Sequence, residues 1–240
     1  MASTIKWTGR LEDDLWERHL ARPGRSTKKL AQDMDLPFKA VDNALYRLKA
    51  TRQEHWMDQA RLGFFDIETS NLYANVGYML SWGLMLTDGT IFGDSITRRE
   101  IMSDALEPDY RVVKSCMDTI KKNVDCVVTF NGDRFDLPFL WSRTQKLGIW
   151  YPGYGEKLHL DLYWQARKHF RTTNKRLGTL SEFLEMAPKD HYDVTVWNRA
   201  RRGSEAALQH IYDHCIADLH ITQDLLIALG PYAKWTRRSM

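Results

Sequence analysis

From Arg61 onward, short apolar segments alternate with longer amphipathic ones, and this order limits the folds open to the chain. Leu62–Ile67 and Val76–Leu86 have the composition of β-strands, and Asp88-Gly89 is typical of a hairpin turn before Thr90–Phe92. Two further strands, Cys126–Phe130 and Leu158–Leu160, are separated by segments with helical patterns. The helical segments are Ser103–Lys122, Pro138–Lys146, Leu162–Phe170, Leu180–Met186 and Ser204–Leu229. A hairpin followed by alternating helices and strands predicts an α/β fold, with a mixed sheet flanked by helices.

The composition excludes several classes of protein. The chain has 240 residues, of which 43% are apolar, so it can form a packed core and is not globally disordered. Its longest apolar stretch, Val76–Leu86, is too short to span a bilayer, which needs about 20 residues. Three widely spaced cysteines predict neither a disulfide framework nor a zinc site, and the N-terminus lacks an apolar signal core. We therefore expect a cytoplasmic protein.

Carboxylates follow the apolar segments at three places. Asp66 and Glu68 end the first strand and, two residues apart, point to the same face of it. Asp136 follows the strand Cys126–Phe130, and His214 and Asp218 lie one helical turn apart on the last helix. Adjacent carboxylates repel each other, and a divalent cation between them would remove that repulsion.

Each of these patterns has a simpler explanation when it is taken alone. Asp-x-Glu occurs by chance, Asp136 could cap the helix that follows it, and a single histidine such as His214 is more often structural. The three patterns in this order, each after a strand or on a late helix, are improbable as coincidence.

In these motifs the chain resembles the DEDD-type 3′–5′ exonucleases of the ribonuclease H-like superfamily, a group that includes polymerase proofreading domains. Asp66 and Glu68 match the first motif, Asn131, Phe135 and Asp136 match the second, and Asp218 matches the final acid. The sequence Phe135–Leu140 is similar to that of B-family polymerase exonuclease domains. The resemblance covers residues 60–230 and implies a ribonuclease H-like fold.

The histidine departs from the pattern of that family. One branch places a tyrosine four residues before the last aspartate and the other places a histidine five before it, whereas His214 stands four before Asp218. Tyr212 and His210 are the alternatives for the catalytic base, although both lie further round the helix from Asp218.

The resemblance implies hydrolysis of phosphodiester bonds with two divalent cations, Mg²⁺ or Mn²⁺, which hard carboxylate oxygens suit. Asp66, Glu68, Asp136 and Asp218 would be both catalytic residues and metal ligands, with Asp66 between the two ions. His214 would orient or deprotonate the attacking water, since an imidazole titrates near neutral pH. Thr69, Asn131 and Phe135 would line the substrate site, although simple packing explains each of them equally well.

Residues 27–48 resemble a helix-turn-helix, in which Ala31 allows close helix packing and Asp35 stands at the turn. The segment from residue 25 to residue 52 contains seven Lys or Arg and three Asp, a balance of 7 − 3 = +4 that favours contact with phosphates. A packing module that tethers the enzyme to a protein is the alternative. In a helix-turn-helix the second of the two helices enters the major groove, which predicts the following DNA contacts. They are Lys39, Asn43, Arg47 and Lys49.

The sequence therefore predicts a helical module over residues 1–56, an exonuclease domain over 60–230 and a tail over 231–240. The expected function is a metal-dependent 3′–5′ exonuclease of DNA, with nucleic acid as its partner and no membrane contact. The resemblance alone implies a bacteriophage or bacterium as the source, and the host cytoplasm as the location if a phage encodes the protein. Exoribonuclease activity, cleavage of structured junctions, and a DNA-binding regulator without enzymatic activity remain the alternatives. Protein partners cannot be predicted from these motifs.

Overall fold

The computed structural model describes residues 7–21, 26–188, 193–230 and 238–240. The chain divides into two compact units, residues 1–60 and residues 61–240. Within the described ranges, no helix has both the length and the apolar character that crossing a membrane requires.

Three helices are described in the first unit, and they surround a small core. They are α1 (Gly9–Ala21), α2 (Thr27–Asp33) and α3 (Phe38–Gln59). Ser26 caps α2 by accepting a hydrogen bond from the Lys29 backbone N–H. After α2 the chain turns through Asp35, whose φ of 51° is in the left-handed region, and the Leu36 N–H bonds back to the Ala31 carbonyl. The core consists of Leu15, Trp16, Leu30, Ala31, Val41, Ala44, Leu45 and Leu48.

The second unit is built on a six-stranded mixed sheet. Its strands are β1 (Leu62–Thr69), β2 (Met79–Leu86), β3 (Ile91–Ser95), β4 (Cys126–Thr129), β5 (Leu158–Asp161) and the two-residue β6 (Arg238–Ser239). Their order across the sheet is β3-β2-β1-β4-β5-β6. β1 is antiparallel to β2 and parallel to β4, so the centre of the sheet is the point where the pairing changes direction. The predicted mixed sheet flanked by helices is confirmed.

Seven helices are described in this unit. They are α4 (Arg98–Ile101), α5 (Tyr110–Asn123), α6 (Asp136–Leu147), α7 (Leu162–His169), α8 (Leu177–Phe183), α9 (Val194–Ala200) and α10 (Glu205–Leu229). α5 packs against β2 and β3, whereas α10 packs against β1, β2 and β3. Phe65 and Ile67 of β1 share a buried core with Val113 of α5, while the alternate residues of β1 point to the other face.

The predicted bounds of several segments were wrong, among them α8, which runs from Leu177 to Phe183 and not from Leu180 to Met186. The helix predicted over Ser103–Lys122 begins only at Tyr110, because Pro108 precedes it and a separate helix, α4, ends at Ile101. α4 has a capping box between Thr97 and Glu100 that the apolar pattern did not reveal. The strand predicted from Val76 begins at Met79, since residues 70–78 form a loop in which the Tyr78 N–H bonds to the Ser70 hydroxyl.

Candidate active site

The first two acids lie on the central strand of the sheet. Asp66 and Glu68 of β1 are opposite Gly83 and Ser81 of β2, so all four residues lie on one face of the sheet. Both carboxylates are partly buried. Because both residues pair with β2, the β1 backbone holds these two side chains in a fixed register.

Two glycines allow α10 to lie close to this face. Gly83 of β2 is in register with Asp66 on one side and with Gly93 of β3 on the other. A Cβ at Gly83 would lie 2.9 Å from Cδ1 of Leu219, and one at Gly93 would lie 2.6 Å from the Tyr212 hydroxyl. The side chains of α10 therefore fill the space above this glycine pair, and the helix is held directly over Asp66.

This seating brings the histidine and the last acid to Glu68. His214 Nε2 lies 3.7 Å from Oε1 of Glu68 and 3.9 Å from Oδ2 of Asp218. The imidazole packs edge-on against the Trp197 ring at 5.5 Å between centroids, and the His214 residue is only 6% exposed. His214 thus lies between two carboxylates, with its ring orientation limited by a buried tryptophan.

Asp136 is the first residue of α6, and its carboxylate lies beside the part of β1 that bears Asp66 and Glu68. β4 pairs with β1 only as far as Phe64 opposite Val128, so the backbone beyond that point on β1 needs another partner. Oδ1 of Asp136 accepts a hydrogen bond from the Ile67 N–H at 3.2 Å. Since Ile67 stands between Asp66 and Glu68, this bond ties the second motif directly to the first.

The electrostatics agree with this arrangement. Burial raises the pKa of the Asp136 carboxyl well above its ordinary range, and the charges of Asp161 and Asp218 raise it further. Burial also raises the pKa of the Cys215 thiol, as do the charges of Asp66, Glu68 and Asp218. Asp66, Glu68 and Asp218 therefore act on one thiol, and Asp218 also acts on Asp136, so the four acids share one electrostatic environment.

Asp161 holds the loop that carries Asp136. It caps α7 by accepting from the Tyr163 N–H at 2.9 Å. Its two carboxylate oxygens also accept from the backbone N–H groups of Asn131 (2.7 Å) and Asp133 (3.1 Å). Sequence reasoning missed this second role, although Asp161 follows an apolar strand just as Asp66 does.

The buried side chains of Thr129 and His159 also support this loop. Thr129 Oγ1 is 2.8 Å from Nε2 of His159, and it accepts a hydrogen bond from the Gly132 N–H at 3.2 Å. Nδ1 of His159 is 3.1 Å from Oδ1 of Asp133, whose other oxygen accepts from the Trp164 indole N–H. The loop thus has side-chain partners on both β4 and β5.

The three predicted substrate-site residues occupy different positions. Thr69 is buried at the end of β1 and donates its hydroxyl to the Asn71 carbonyl at 2.8 Å. Asn131 adopts a φ of 68°, so its main role in the described contacts is to turn the loop. Phe135 lines a cleft of about 730 Å³ between the loop after β1 and α6, and the four acids do not line this cleft.

The donor set is that of a hard divalent cation, because all four predicted ligands are carboxylates. Burial raises the pKa of Asp136, and the nearby charge of Asp218 adds to this; a bound cation would favour the charged carboxylate against both effects. In the described part of the chain, no group of three or more His, Cys, Asp or Glu side chains has an arrangement that could hold a metal ion. The four carboxylates have the chemistry that these ions prefer, and their side chains would have to move closer together to bind one.

The predicted DNA contacts of the first unit lie on α3. Lys39 and Asn43 are exposed on the side of α3 away from the buried Val41 and Leu48. Arg47 instead bonds to Oε1 of Glu12 on α1 at 3.2 Å. The side chain of Lys49 lies outside the described residues.

The chain is similar to several archaeal DNA polymerases. It is 24% identical over 146 residues to a DNA polymerase of Pyrococcus glycovorans, an alignment that covers 51% of this chain and 18% of the polymerase. It is 29% identical over 92 residues to a DNA polymerase of Thermococcus litoralis, covering 38% of this chain and 5% of the polymerase. It is 42% identical over 53 residues to DNA polymerase 1 of Pyrococcus abyssi, covering 22% of this chain and 6% of that one. The chain thus spans less than a fifth of the length of these curated relatives.

The fold has a counterpart among solved structures. It matches the family B DNA polymerase of Pyrobaculum calidifontis with a TM-score of 0.56 and 19% identity, over 72% of this chain and 25% of the polymerase. Residues 63–229, which contain all four acids and His214, match the family of the RNase H superfamily. The predicted resemblance to ribonuclease H-like proteins is therefore confirmed, and the chain belongs to the RNase H superfamily.

Proposed function

We propose that this protein is a metal-dependent nuclease that removes nucleotides from the 3′ end of DNA. Membership of the RNase H superfamily and similarity to DNA polymerases support a nuclease acting on nucleic acid. The observation that carries the finer proposal is the position of His214 between Glu68 and Asp218 over the strand that bears Asp66.

Asp66, Glu68, Asp136 and Asp218 would hold two divalent cations, Mg²⁺ or Mn²⁺. When bound, such ions lower the pKa of a water and stabilise the developing charge on the phosphate oxygens. The protein's own part is to fix the donors: β1 sets Asp66 and Glu68, the Ile67 N–H orients Asp136, and α10 sets Asp218.

His214 would accept the proton of the attacking water at Nε2. That atom faces both Glu68 and Asp218, which stabilise the imidazolium that forms. Trp197 packs against the ring and limits its rotation, so the proton acceptor is held in one orientation. General-base catalysis of this kind contributes about 10²–10⁴-fold to a rate.

The test uses two active-site variants, each with a matched control from α10. Asp66→Ala should abolish the Mn²⁺-dependent digestion of a 3′-labelled strand, because it removes a carboxylate at the centre of the site. Asp224→Ala, an exposed acid on α10, should digest the strand at the wild-type rate. Digestion by Asp66→Ala at the normal rate would contradict the site assignment.

His214→Ala should slow digestion by about 10²–10⁴-fold and change the pH profile. His220→Ala removes an exposed histidine from the same helix and should leave both unchanged. An unaltered pH profile for His214→Ala would transfer the base role to another residue. Cutting of a circular strand would identify an endonuclease, and equal digestion of RNA would identify a broader nuclease.

The first unit is proposed to contact duplex DNA through α3. Three features support this: the short turn through Asp35, the close packing allowed by Ala31, and the exposed Lys39 and Asn43. Lysine can neutralise a phosphate, and asparagine can form paired hydrogen bonds with adenine. If the nuclease test fails while duplex binding is measured, the protein is a DNA-binding regulator.

A further inference from the structure

The segment from residue 162 to residue 181 carries a concentrated positive charge. It contains five Lys or Arg and no Asp or Glu, whereas the whole chain has 34 basic and 31 acidic residues. Lys168, Arg171 and Arg176 are exposed, while Lys175 donates to the Thr172 carbonyl at 3.1 Å. Such a local excess of positive charge attracts a polyanion.

Aromatic rings lie among these cations. The Arg134 guanidinium lies 4.9 Å from the ring centre of Trp164 and 5.4 Å from that of Tyr163. The Arg167 guanidinium lies 5.9 Å from the Trp164 ring. A cation and the face of an aromatic ring attract each other, and both arginine residues are exposed.

A second aromatic pair extends the surface towards α8. Phe170 and Phe183 meet edge to face at 6.2 Å, and Phe183 is 61% exposed. An exposed phenylalanine close to a basic segment offers a stacking face for an unpaired base.

This surface is connected to the candidate active site. Arg134 belongs to the loop that carries Asp136, and the neighbouring Asp133 accepts a hydrogen bond from the Trp164 indole at 2.9 Å. A nucleic-acid strand lying over Trp164 would therefore pass along the loop that leads to Asp136. Asp161 and Thr129 hold this loop in place.

We propose that this basic aromatic surface (Arg134, Trp164, Arg167, Lys168, Arg171 and Arg176) binds single-stranded DNA next to the nuclease site. The assignment rests on the proposed function and extends it to the substrate. A single strand fits better than a duplex, because its unpaired bases can stack on exposed rings while its phosphates meet the cations. Arg134 and Arg167 are held by the Trp164 ring, so the cations that remain for phosphates are those further along the segment.

The test measures the binding of a labelled single strand in EDTA, where metal-dependent cutting does not occur. The variant is Lys168→Ala/Arg171→Ala/Arg176→Ala, and the matched control is Arg99→Ala/Lys114→Ala/Lys122→Ala. Both remove three exposed cations from the second unit, so they change the net charge equally. Equal thermal midpoints for the two variants and the wild type would establish that both variants fold.

The surface variant should lose three phosphate contacts, each of which contributes about 0.7 to the slope of log affinity against log salt. Its slope should therefore be shallower than that of the wild type by about 2. Over a fourfold change in salt, the ratio of the two affinities should then change roughly 16-fold. The control variant should keep the wild-type slope.

A wild-type slope in the surface variant, or the same loss in both variants, would overturn the proposal. So would competition by polyglutamate as strong as that by unlabelled strand, since it would assign the surface to an acidic protein. Binding is measured without metal, so it does not depend on nuclease activity. An inactive wild-type enzyme would refute the proposed nuclease, while the salt slopes of the two variants would still decide whether this surface binds a single strand.

Discussion

Gly132→Ala tests whether the loop between β4 and α6 positions Asp136. A Cβ at Gly132 would lie 2.6 Å from Cβ of Thr129 and 2.8 Å from its Cγ2. Carbon atoms pack at about 3.5–4.0 Å, so the loop would have to move by roughly 1 Å. Thr129 cannot easily make room, because it is fully buried and its hydroxyl is engaged with His159.

The expected cost has two parts. Overpacking a buried site costs about 1–3 kcal/mol, and loss of the Gly132 N–H bond to Thr129 adds about 1 kcal/mol. The free energy of unfolding should therefore fall by about 2–4 kcal/mol. A displacement of about 1 Å at Asp136 should also lower the rate of strand digestion by about 10²-fold, because catalysis depends on the placement of such groups.

Urea unfolding and digestion of a 3′-labelled strand measure the two effects. Gly153→Ala is the matched control, since the nearest atom to a Cβ there is 3.8 Å away. If Gly132→Ala unfolds at the same urea concentration as Gly153→Ala, the contact with Thr129 does not hold the loop. Normal stability with slow digestion would also refute the reasoning, because both effects should arise from one displacement.

Two further predictions concern the first unit and a buried ion pair. Lys39→Ala/Asn43→Ala should weaken duplex DNA binding and lower its salt slope by about 1, whereas Arg10→Ala on α1 should not; equal slopes would exclude α3 as the contact. Arg143→Met should lower the free energy of unfolding by about 3–5 kcal/mol, because it leaves the fully buried Asp109 carboxylate without the guanidinium that bonds it. Urea unfolding against Arg99→Met measures this, and matching transitions would show that the pair contributes little.

Much of the sheet could be predicted from the sequence because its strands are short, mostly apolar and bounded by turn residues, which are local properties. β1, β4 and β5 begin within one residue of their predicted positions. The hairpin between β2 and β3 followed from Asp88-Gly89, and Gly89 does adopt a φ of 86°. α10 was predictable because its apolar stripe persists over 25 residues.

The segments that were missed depend on contacts that are distant in the sequence. Residues 103–109 are not helical, and there Asp109 accepts from the Met79 N–H and binds Arg143. α9 is short and begins with an Asp193 cap, which is a weak signal without the core that buries Trp197. A local sequence pattern contains no information about these distant partners, so it cannot show where they override helix propensity.

The amino-acid sequence alone predicted which acids belong together, since Asp66, Glu68, Asp136 and Asp218 follow the order of a known set of motifs. It also determined the α/β class, because the hydrophobic periodicity that distinguishes helices from strands is a property of residues close together in the sequence. Only the tertiary structure decided how α10 approaches the sheet, through Gly83 and Gly93, and therefore where His214 lies relative to Glu68. Only the fold, likewise, turned Asp161 from a helix cap into the support of a loop 30 residues away, because a hydrogen bond depends on distance in space and the sequence records only distance along the chain.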